Sequence, residues 1–178
     1  IYEQLRSKLK EAVERSRADG ILLSGGLDTS ILAFVARPSI GFTVALKGSP
    51  ASDVVYSEKV SKLLGVQHEK MEFTTEEALA TLPEVIGILR TFDLALPNDL
   101  SIYFALKLAK GSGISSVMTG DGADELFAGY SYMAELPPED LGRYIRRLSQ
   151  NWHFLAGYLG KALDIEINQP FLDENFVR

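Results

Sequence analysis

Gly20-Ile21-Leu22-Leu23-Ser24-Gly25-Gly26-Leu27-Asp28-Thr29-Ser30 decides how the rest of the chain is read. The apolar run Gly20 to Leu23 reads as a strand that stops at Ser24-Gly25-Gly26, and Thr29 to Arg37 is helix-compatible until Pro38. Strand, glycine loop, helix is the order of a parallel α/β unit, whose ligands gather at the carboxyl ends of the strands. Two glycines let backbone N–H groups converge without Cβ interference, and the following helix adds its N-terminal partial positive charge. The loop is therefore a cradle for an anion. Ser24, Thr29 and Ser30 add hydroxyl donors to that anion. Asp28 would repel phosphates at such range unless a metal lay between them, which implies Mg²⁺.

A bare glycine pair is usually only a tight turn. The full pattern Ser-Gly-Gly-x-Asp-[Ser/Thr]-[Ser/Thr], however, arises by chance about once in twenty thousand chains of this length. No Gly-Lys-Ser/Thr triplet closes a Walker-type loop, and there is no Gly-x-Gly-x-x-Gly, so neither that kind of phosphoryl transfer nor dinucleotide binding is favoured. The anion is read as the β,γ-pyrophosphate of ATP.

Outward from this stretch the pattern repeats. Upstream, Leu5, Leu9, Ala12 and Val13 recur at helical spacing between Tyr2 and Arg17, and Asp19-Gly20 stops them. Downstream come a strand over Ile40 to Leu46, a helix over Ser52 to Leu64 ended by Gly65, and an alternating strand over Val66 to Phe73. Thr74-Thr75-Glu76-Glu77 opens a helical region to Arg90, with a break expected at Pro83. Asn98-Asp99 is read as the cap of a helix over Leu100 to Lys110, followed by a strand over Ile114 to Met118. Four strands separated by helices predict an α/β fold with a doubly wound parallel sheet. After Tyr130, punctuated by Pro137-Pro138, no strand pattern is evident to Leu163, and this part is read as a C-terminal helical subdomain. The expected organisation is one domain over 1–178, with its sheet core at about 1–130 and its helical part at about 131–178.

The second unusual loop, Thr119-Gly120-Asp121-Gly122-Ala123-Asp124-Glu125, crowds three acids beside two glycines. Such crowding is costly unless a cation neutralises it or solvent reaches it freely. A calcium loop and a solvated acidic turn are the rival readings, but Leu126-Phe127-Ala128 leads at once into apolar sequence. Because this loop follows the fourth strand, the sheet is expected to bring it beside the first loop, where Asp28 and Asp124 would share one Mg²⁺.

Composition narrows the chemistry. The 178 residues, 46% of them hydrophobic, can bury one core. A net charge of −6, from 18 basic and 24 acidic residues, argues against a nucleic-acid partner. Arg143, Arg146 and Arg147, at helical spacing, read as a solvated helix face. Without cysteine there is no disulfide, thiolate metal site or cysteine nucleophile. Apolar stretches such as Leu32 to Val35 are far short of a membrane span, and Ile1-Tyr2-Glu3-Gln4 carries no signal-peptide pattern, so a soluble, cytoplasmic protein is expected. Ile1 is not an initiator methionine, which leaves room for residues before it. His68 and His153 are too far apart in pattern for a metal pair and read as structural. Trp152, His153 and Phe154 read as core or interface rather than pocket wall. Tyr130 is read either as a core tyrosine or as a hydrogen-bonding group beside the second loop.

With these residues in place, the chain resembles the synthetase domain of the glutamine-dependent asparagine synthetases, part of the PP-loop ATP pyrophosphatases. Ser24-Gly25-Gly26-Leu27-Asp28-Thr29-Ser30 is similar to that family's Ser-Gly-Gly-Leu-Asp-Ser-Ser. Thr119 to Tyr130 is similar to its Ser-Gly-Asp/Glu-Gly-Ala/Ser-Asp-Glu-Leu-Phe-Gly-Gly-Tyr. Phe42-Thr43-Val44 with Gly48-Ser49-Pro50, and Pro170-Phe171-Leu172-Asp173, match two further stretches in order. The resemblance implies an adenine nucleotide alpha-hydrolase-like sheet, ATP and Mg²⁺, and attack of a carboxylate on the α-phosphorus. An acyl-adenylate and pyrophosphate would result, and ammonia would then complete the amide.

The resemblance also implies site residues. Leu22 and Val44 flank the adenine, and Ser24, Gly25, Gly26, Asp28, Thr29, Ser30, Thr119 and Gly120 bind the rest of the nucleotide. Asp28 and Asp124 hold the metal, while Asp121, Asp124 and Tyr130 are the candidate catalytic residues. The small-molecule partners would be a carboxylate such as aspartate and ammonia or an amine. With no room for a glutaminase domain and no cysteine to begin one, free ammonia or another amine would have to serve, a separate ammonia-supplying partner being one source. Three departures leave the acceptor open. Asn168 stands where the family has arginine, Asn151-Trp152 falls where an aspartate is expected, and the family's later lysine lies beyond Arg178. Lys161 is the only nearby substitute and reads as a surface lysine. A module that binds nucleotide without turnover is the alternative.

Overall fold

The computed structural model describes residues 1–49, 52–150 and 154–178. Pro50, Asn151, Trp152 and His153 therefore lie outside the described residues, and with them the readings placed there. The first half is built of helix α1 (Tyr2–Arg15), strand β1 (Gly20–Leu22), α2 (Leu27–Ala36), β2 (Ile40–Leu46), α3 (Ser52–Leu64) and β3 (Gln67–Phe73). Then follow α4 (Thr75–Leu89), α5 (Leu96–Gly111), β4 (Ser116–Met118) and α6 (Ala123–Phe127). A 3₁₀ turn at Ser131–Glu135 leads to α7 (Pro138–Ser149), α8 (Ala156–Ala162), β5 (Glu166–Asn168), a 3₁₀ turn at Pro170–Leu172, and α9 (Glu174–Val177).

The five strands form one parallel sheet in the order β3-β2-β1-β4-β5. From β1 the chain winds outward through β2 to β3, then crosses back to build β4 and β5 on the other side. The reversal of winding falls between β1 and β4, the position at which open α/β sheets bind ligands.

Side-chain alternation along the strands feeds two cores. Ile21 and Leu23 point to one face with Met118, joined by Leu9 and Val13 of α1, Leu32 of α2, Phe171 and Phe176. Phe42 and Val117 point to the other, joined by Leu100, Tyr103 and Phe104 of α5 and Leu159 of α8, with Leu22 and Val44 packed against them. This is the period of two expected of strands covered on both sides. Each fully buried large apolar side chain contributes about 1.5–3 kcal/mol relative to exposure. None of the described helices is long and apolar enough to cross a membrane.

The sheet has one strand more than the sequence reading. Glu166–Asn168 pairs in parallel with Ser116–Met118, so the part after residue 130 supplies an edge of the sheet as well as helices. Three residues are too few for an alternation to declare itself. Gly160 marks the junction: a Cβ there would lie 2.4 Å from Ile167 Cγ1, so α8 rests directly on this strand. Helix α5 also begins four residues earlier than expected. Pro97 sits in its first turn, where a missing N–H costs nothing, and Asp99 is thereby inside the helix, 5% exposed, instead of capping it. Helix α4 runs unbroken through Pro83, opened by the expected reciprocal cap: Glu77 N donates to Thr74 Oγ1 at 3.2 Å and Thr74 N to Glu77 Oε2 at 2.7 Å.

The last residues close back on the first helix. Arg15 Nε and Nη2 donate to the two oxygens of Asp173 at 2.9 and 2.7 Å, while Asp173 also accepts the amides of Asn175 and Phe176 at the start of α9. Leu172 fills the space beside Gly122, where a Cβ would lie 2.3 Å from Leu172 Cδ2. Pro170-Phe171-Leu172-Asp173 thus seats the acidic loop. Asp173→Ala is expected to cost about 1–3 kcal/mol, through loss of the cap and of the charged pair. The Arg15 guanidinium holds this carboxyl below its ordinary range. Its contribution is therefore complete at neutral pH and lost as the pH falls through the lowered value. Urea denaturation of both proteins at neutral and acid pH checks this: the difference between them should shrink in acid.

Candidate active site

Because β1 and β4 are neighbours, the loops that follow them open into one cleft of about 360 Å³. Gly120 makes the close approach possible: a Cβ there would lie 3.2 Å from Thr29 Cγ2 and 3.5 Å from Asp28 Cβ.

In the first loop the two glycines have different reasons. Gly25 has φ +78°, and a Cβ on it would lie 2.3 Å from the Ser57 amide nitrogen, so the turn is pressed against α3. Gly26 has φ −65° and, within 4 Å, would meet only Ser24 Oγ, at 3.3 Å. That contact is tight but falls on a single hydroxyl, where Gly25 would meet backbone. Gly26 is the N-cap of α2 and offers no capping side chain. The amides of residues 27–29 precede the first possible i−4 partner and remain open to an anion. Ser24 Oγ accepts the Gly26 amide at 3.2 Å and lies 3.0 Å from Thr29 Oγ1, so these two hydroxyls stand together at the cleft. Ser30 departs from the expectation. Its hydroxyl donates to the Gly26 carbonyl at 2.6 Å, turning back on its own helix instead of toward the cleft.

In the second loop each acid is held differently. Asp121 Oδ2 accepts from Thr119 Oγ1 and from Gln169 Nε2, both at 2.7 Å. Asp124 lies against Gly129, where an added Cβ would fall 1.9 Å from Asp124 Oδ1. Glu125 accepts the Tyr130 hydroxyl at 2.5 Å. Burial, that bond and the nearby Asp124 push the Tyr130 phenol above its ordinary value, so it stays protonated. Among the sequence candidates, Leu22, Ser24, Asp28, Thr29, Val44, Thr119, Gly120, Asp121, Asp124 and Tyr130 line the cleft; Gly25, Gly26 and Ser30 shape the loop behind it.

Charge dominates this space. Asp28, Asp53, Asp121, Asp124 and Glu125 line it, and among the described residues no Lys, Arg or His does. Asp28 is pushed above the ordinary carboxylate value by burial, then by Asp124 and Glu125. Mutual repulsion of this kind is relieved by a divalent cation. Among the described residues no three His, Cys, Asp or Glu side chains converge to hold a metal alone. Mg²⁺ needs only one or two carboxylates from a protein and takes phosphate oxygens and water as its other ligands, and Asp28 and Asp124, close enough for each other's charge to be felt, both line the cleft.

The sequence reading missed one wall. Asn98, Ser101, Ile102 and Ala105 form a stripe of α5 along the cleft, and Phe154 is a further lining residue. The i, i+3, i+4, i+7 spacing of these four residues was the available signal, hidden by assigning Asn98-Asp99 to a cap. Asp99 Oδ2 and, near the second loop, Asn168 Nδ2 are buried with no hydrogen-bond partner among the described residues. Thr43, also in the lining, donates to the Leu23 carbonyl at 2.5 Å and accepts from His68 Nε2 at 2.8 Å, which gives His68 a structural use. Lys161 is exposed on α8 and does not line the cleft.

Asparagine synthetase [glutamine-hydrolyzing] 3 of Arabidopsis thaliana is 30% identical over 191 residues, covering 94% of this chain and 33% of its own length. Asparagine synthetase [glutamine-hydrolyzing] 2 of Oryza sativa subsp. japonica is 31% identical over 197 residues, covering 97% and 33%. The chain thus spans about a third of the length of these curated relatives. Among solved structures, the U34-tRNA thiolase NcsA of Methanococcus maripaludis superposes with a TM-score of 0.57 at 13% identity, over 98% of this chain and 62% of that one, a likeness of fold alone. The description of one family, asparagine synthase, matches residues 4–174, a span that takes in both cleft loops and the segment that seats them, and the chain belongs to that family.

Proposed function

We propose that this chain binds Mg-ATP across the β1 and β4 loops and activates a carboxylate for amide formation, working in the cytoplasm as an AMP-forming carbon–nitrogen ligase. The observation that carries the proposal is the opposition, within one cleft, of an open helix N-terminus to a row of acids. An anion alone would satisfy the first and a cation alone the second; a metal–triphosphate satisfies both.

Leu22 and Val44 present apolar surface to the adenine, and Gly120 lets the nucleoside approach the second loop. The amides of residues 27–29 and the hydroxyls of Ser24 and Thr29 receive the β,γ-phosphates. Asp28 and Asp124 would hold Mg²⁺, which supplies charge neutralisation between phosphates and carboxylates. A carboxylate oxygen of the acceptor attacks the α-phosphorus, the bond to the β-phosphate oxygen breaks, and pyrophosphate leaves. The lone pair of ammonia or an amine then attacks the acyl carbon, the bond to AMP breaks, and the nitrogen loses a proton. Such steps need positioning and charge neutralisation more than covalent help. Asp121, fixed by Thr119 and Gln169, faces the acceptor side, and Tyr130 serves as a neutral hydrogen-bond donor. The relatives are named as glutamine-hydrolyzing. Here a glutaminase lying outside residues 1–178 would supply the ammonia, and the acceptor is a small carboxylate, with aspartate the first to try.

The direct test is release of pyrophosphate and AMP from Mg-ATP against a panel of carboxylic acids with ammonium present. Equal amounts of both, dependent on one acid, are expected; ADP or free phosphate instead would overturn the reading. Asp28→Asn is expected to reduce pyrophosphate release by about 100-fold or more. In the same variant the melting temperature at pH 7 without nucleotide should rise. Folding raises the Asp28 pKa, so keeping it ionised opposes folding above that value, and asparagine removes the cost. A lower melting temperature would contradict the electrostatic account. Gly26→Ala would set a Cβ 3.3 Å from Ser24 Oγ, so that the hydroxyl must give way by a few tenths of an ångström, and it is expected to weaken Mg-ATP binding about tenfold by displacing that donor and crowding the anion, as calorimetry would measure.

A further inference from the structure

The glycine loop is fastened to the sheet by a side chain. Strand β1 ends at Leu22, and Leu23 N still donates to Phe42 O at 2.8 Å. The next link, the peptide from Leu23 to Ser24, leaves the sheet, and its carbonyl accepts the Thr43 hydroxyl at 2.5 Å. That hydroxyl in turn lies 2.8 Å from His68 Nε2. His68 stands opposite Gly41 in the ladder of β2 and β3, so on the shared face its ring reaches diagonally to Thr43, two residues on. One rung of side chains thus runs from β3 through β2 to the first peptide of the glycine loop. Leu23 and Thr43 are 1% and 4% exposed, so the bond between them is shielded from water.

The direction of this rung follows from its protons. A threonine hydroxyl has one, and it is committed to Leu23 O; toward His68 the same oxygen can only accept. The ring must therefore carry hydrogen on Nε2. Burial, then Lys70, hold His68 below its ordinary value against the opposing pull of Glu58, so at neutral pH it has a single N–H to give. The Nδ1–H tautomer would present a lone pair instead; Thr43 would then turn its proton to His68 and release Leu23 O. We propose that His68 is a positioning residue for the nucleotide: its Nε2–H holds the Thr43 hydroxyl on Leu23 O, and the Leu23–Ser24 peptide so fixed aims the Ser24 and Thr29 hydroxyls, 3.0 Å apart, at the β,γ-phosphates. The proposal rests on reading the cleft as a Mg-ATP site. It adds a residue that acts from behind the lining, through Thr43, which is part of it.

The test compares the full chain with His68→Leu, His68→Gln, Thr43→Val and the double variant Thr43→Val/His68→Leu. In calorimetric titration His68→Leu is expected to weaken Mg-ATP binding about tenfold, while His68→Gln, whose amide N–H replaces Nε2–H, stays within about twofold of the parent. Thr43→Val should weaken binding at least as much as His68→Leu, and the double variant no further than Thr43→Val alone, since both remove one relay. Without nucleotide, nitrogen NMR of the ring should find the proton on Nε2. Hydrogen exchange at the Leu23 and Gly26 amides, bonded to Phe42 O and Ser24 Oγ, should quicken about tenfold in His68→Leu but not in His68→Gln. A proton on Nδ1, a glutamine variant as weak as the leucine one, losses that add in the double variant, or unchanged binding in His68→Leu would each overturn the proposal. So would losses that follow the melting temperature across the variants instead of the presence of the N–H. Failure of the Mg-ATP reading is a separate signal: no heat from Mg-ATP in the parent chain, while the tautomer and the exchange pattern persist.

Discussion

The pairing of β1 with β4 is the constraint on which the rest of this molecule depends. Each strand is only three residues long, yet their register brings together two loops that are about a hundred residues apart in sequence. A parallel ladder places both carboxyl ends on one edge, and the winding reversal between these strands keeps that edge clear of a crossover helix. The glycine loop brings donors and a helix terminus; the acidic loop brings carboxylates. Neither has a complete use alone, and the hydrogen bonds of a short strand pair turn them into one site.

That site is bought with electrostatic strain. Five carboxylates around one cleft, with Asp28 lifted from its ordinary value by burial and by its neighbours, form an arrangement a stability-optimised protein would avoid. The surrounding structure compensates with geometry. Gly129 leaves room for Asp124, Thr119 and Gln169 fix Asp121, and Leu172 fills the space beside Gly122.

How much of this was legible in the sequence follows from the length and chemistry of each signal. Ser24 to Ser30 and Thr119 to Glu125 carry their meaning in rare residue combinations, and both were found where the sheet placed them. The long strands and helices were legible from periodicity, as in Ile40–Leu46 and Ser52–Leu64. The edge strand Glu166–Asn168 was not, because three residues cannot display a period. Asp99 was misread because aspartate is a favoured cap, and only tertiary burial shows that α5 starts at Leu96. Ser30 carried the right chemistry for an anion, but the Gly26 carbonyl one helical turn back competes for its proton.

The clasp of Arg15 on Asp173 spans 158 residues of sequence. During synthesis, α1, β1 and the glycine loop leave the ribosome long before the segment that seats the acidic loop exists. The nascent chain can therefore display its anion cradle while Gly122 lacks Leu172 and Arg15 lacks its carboxylate. The cleft is completed only once residues 170–173 have been made, so a chain interrupted before them carries the glycine loop without the contacts that seat its acidic neighbour.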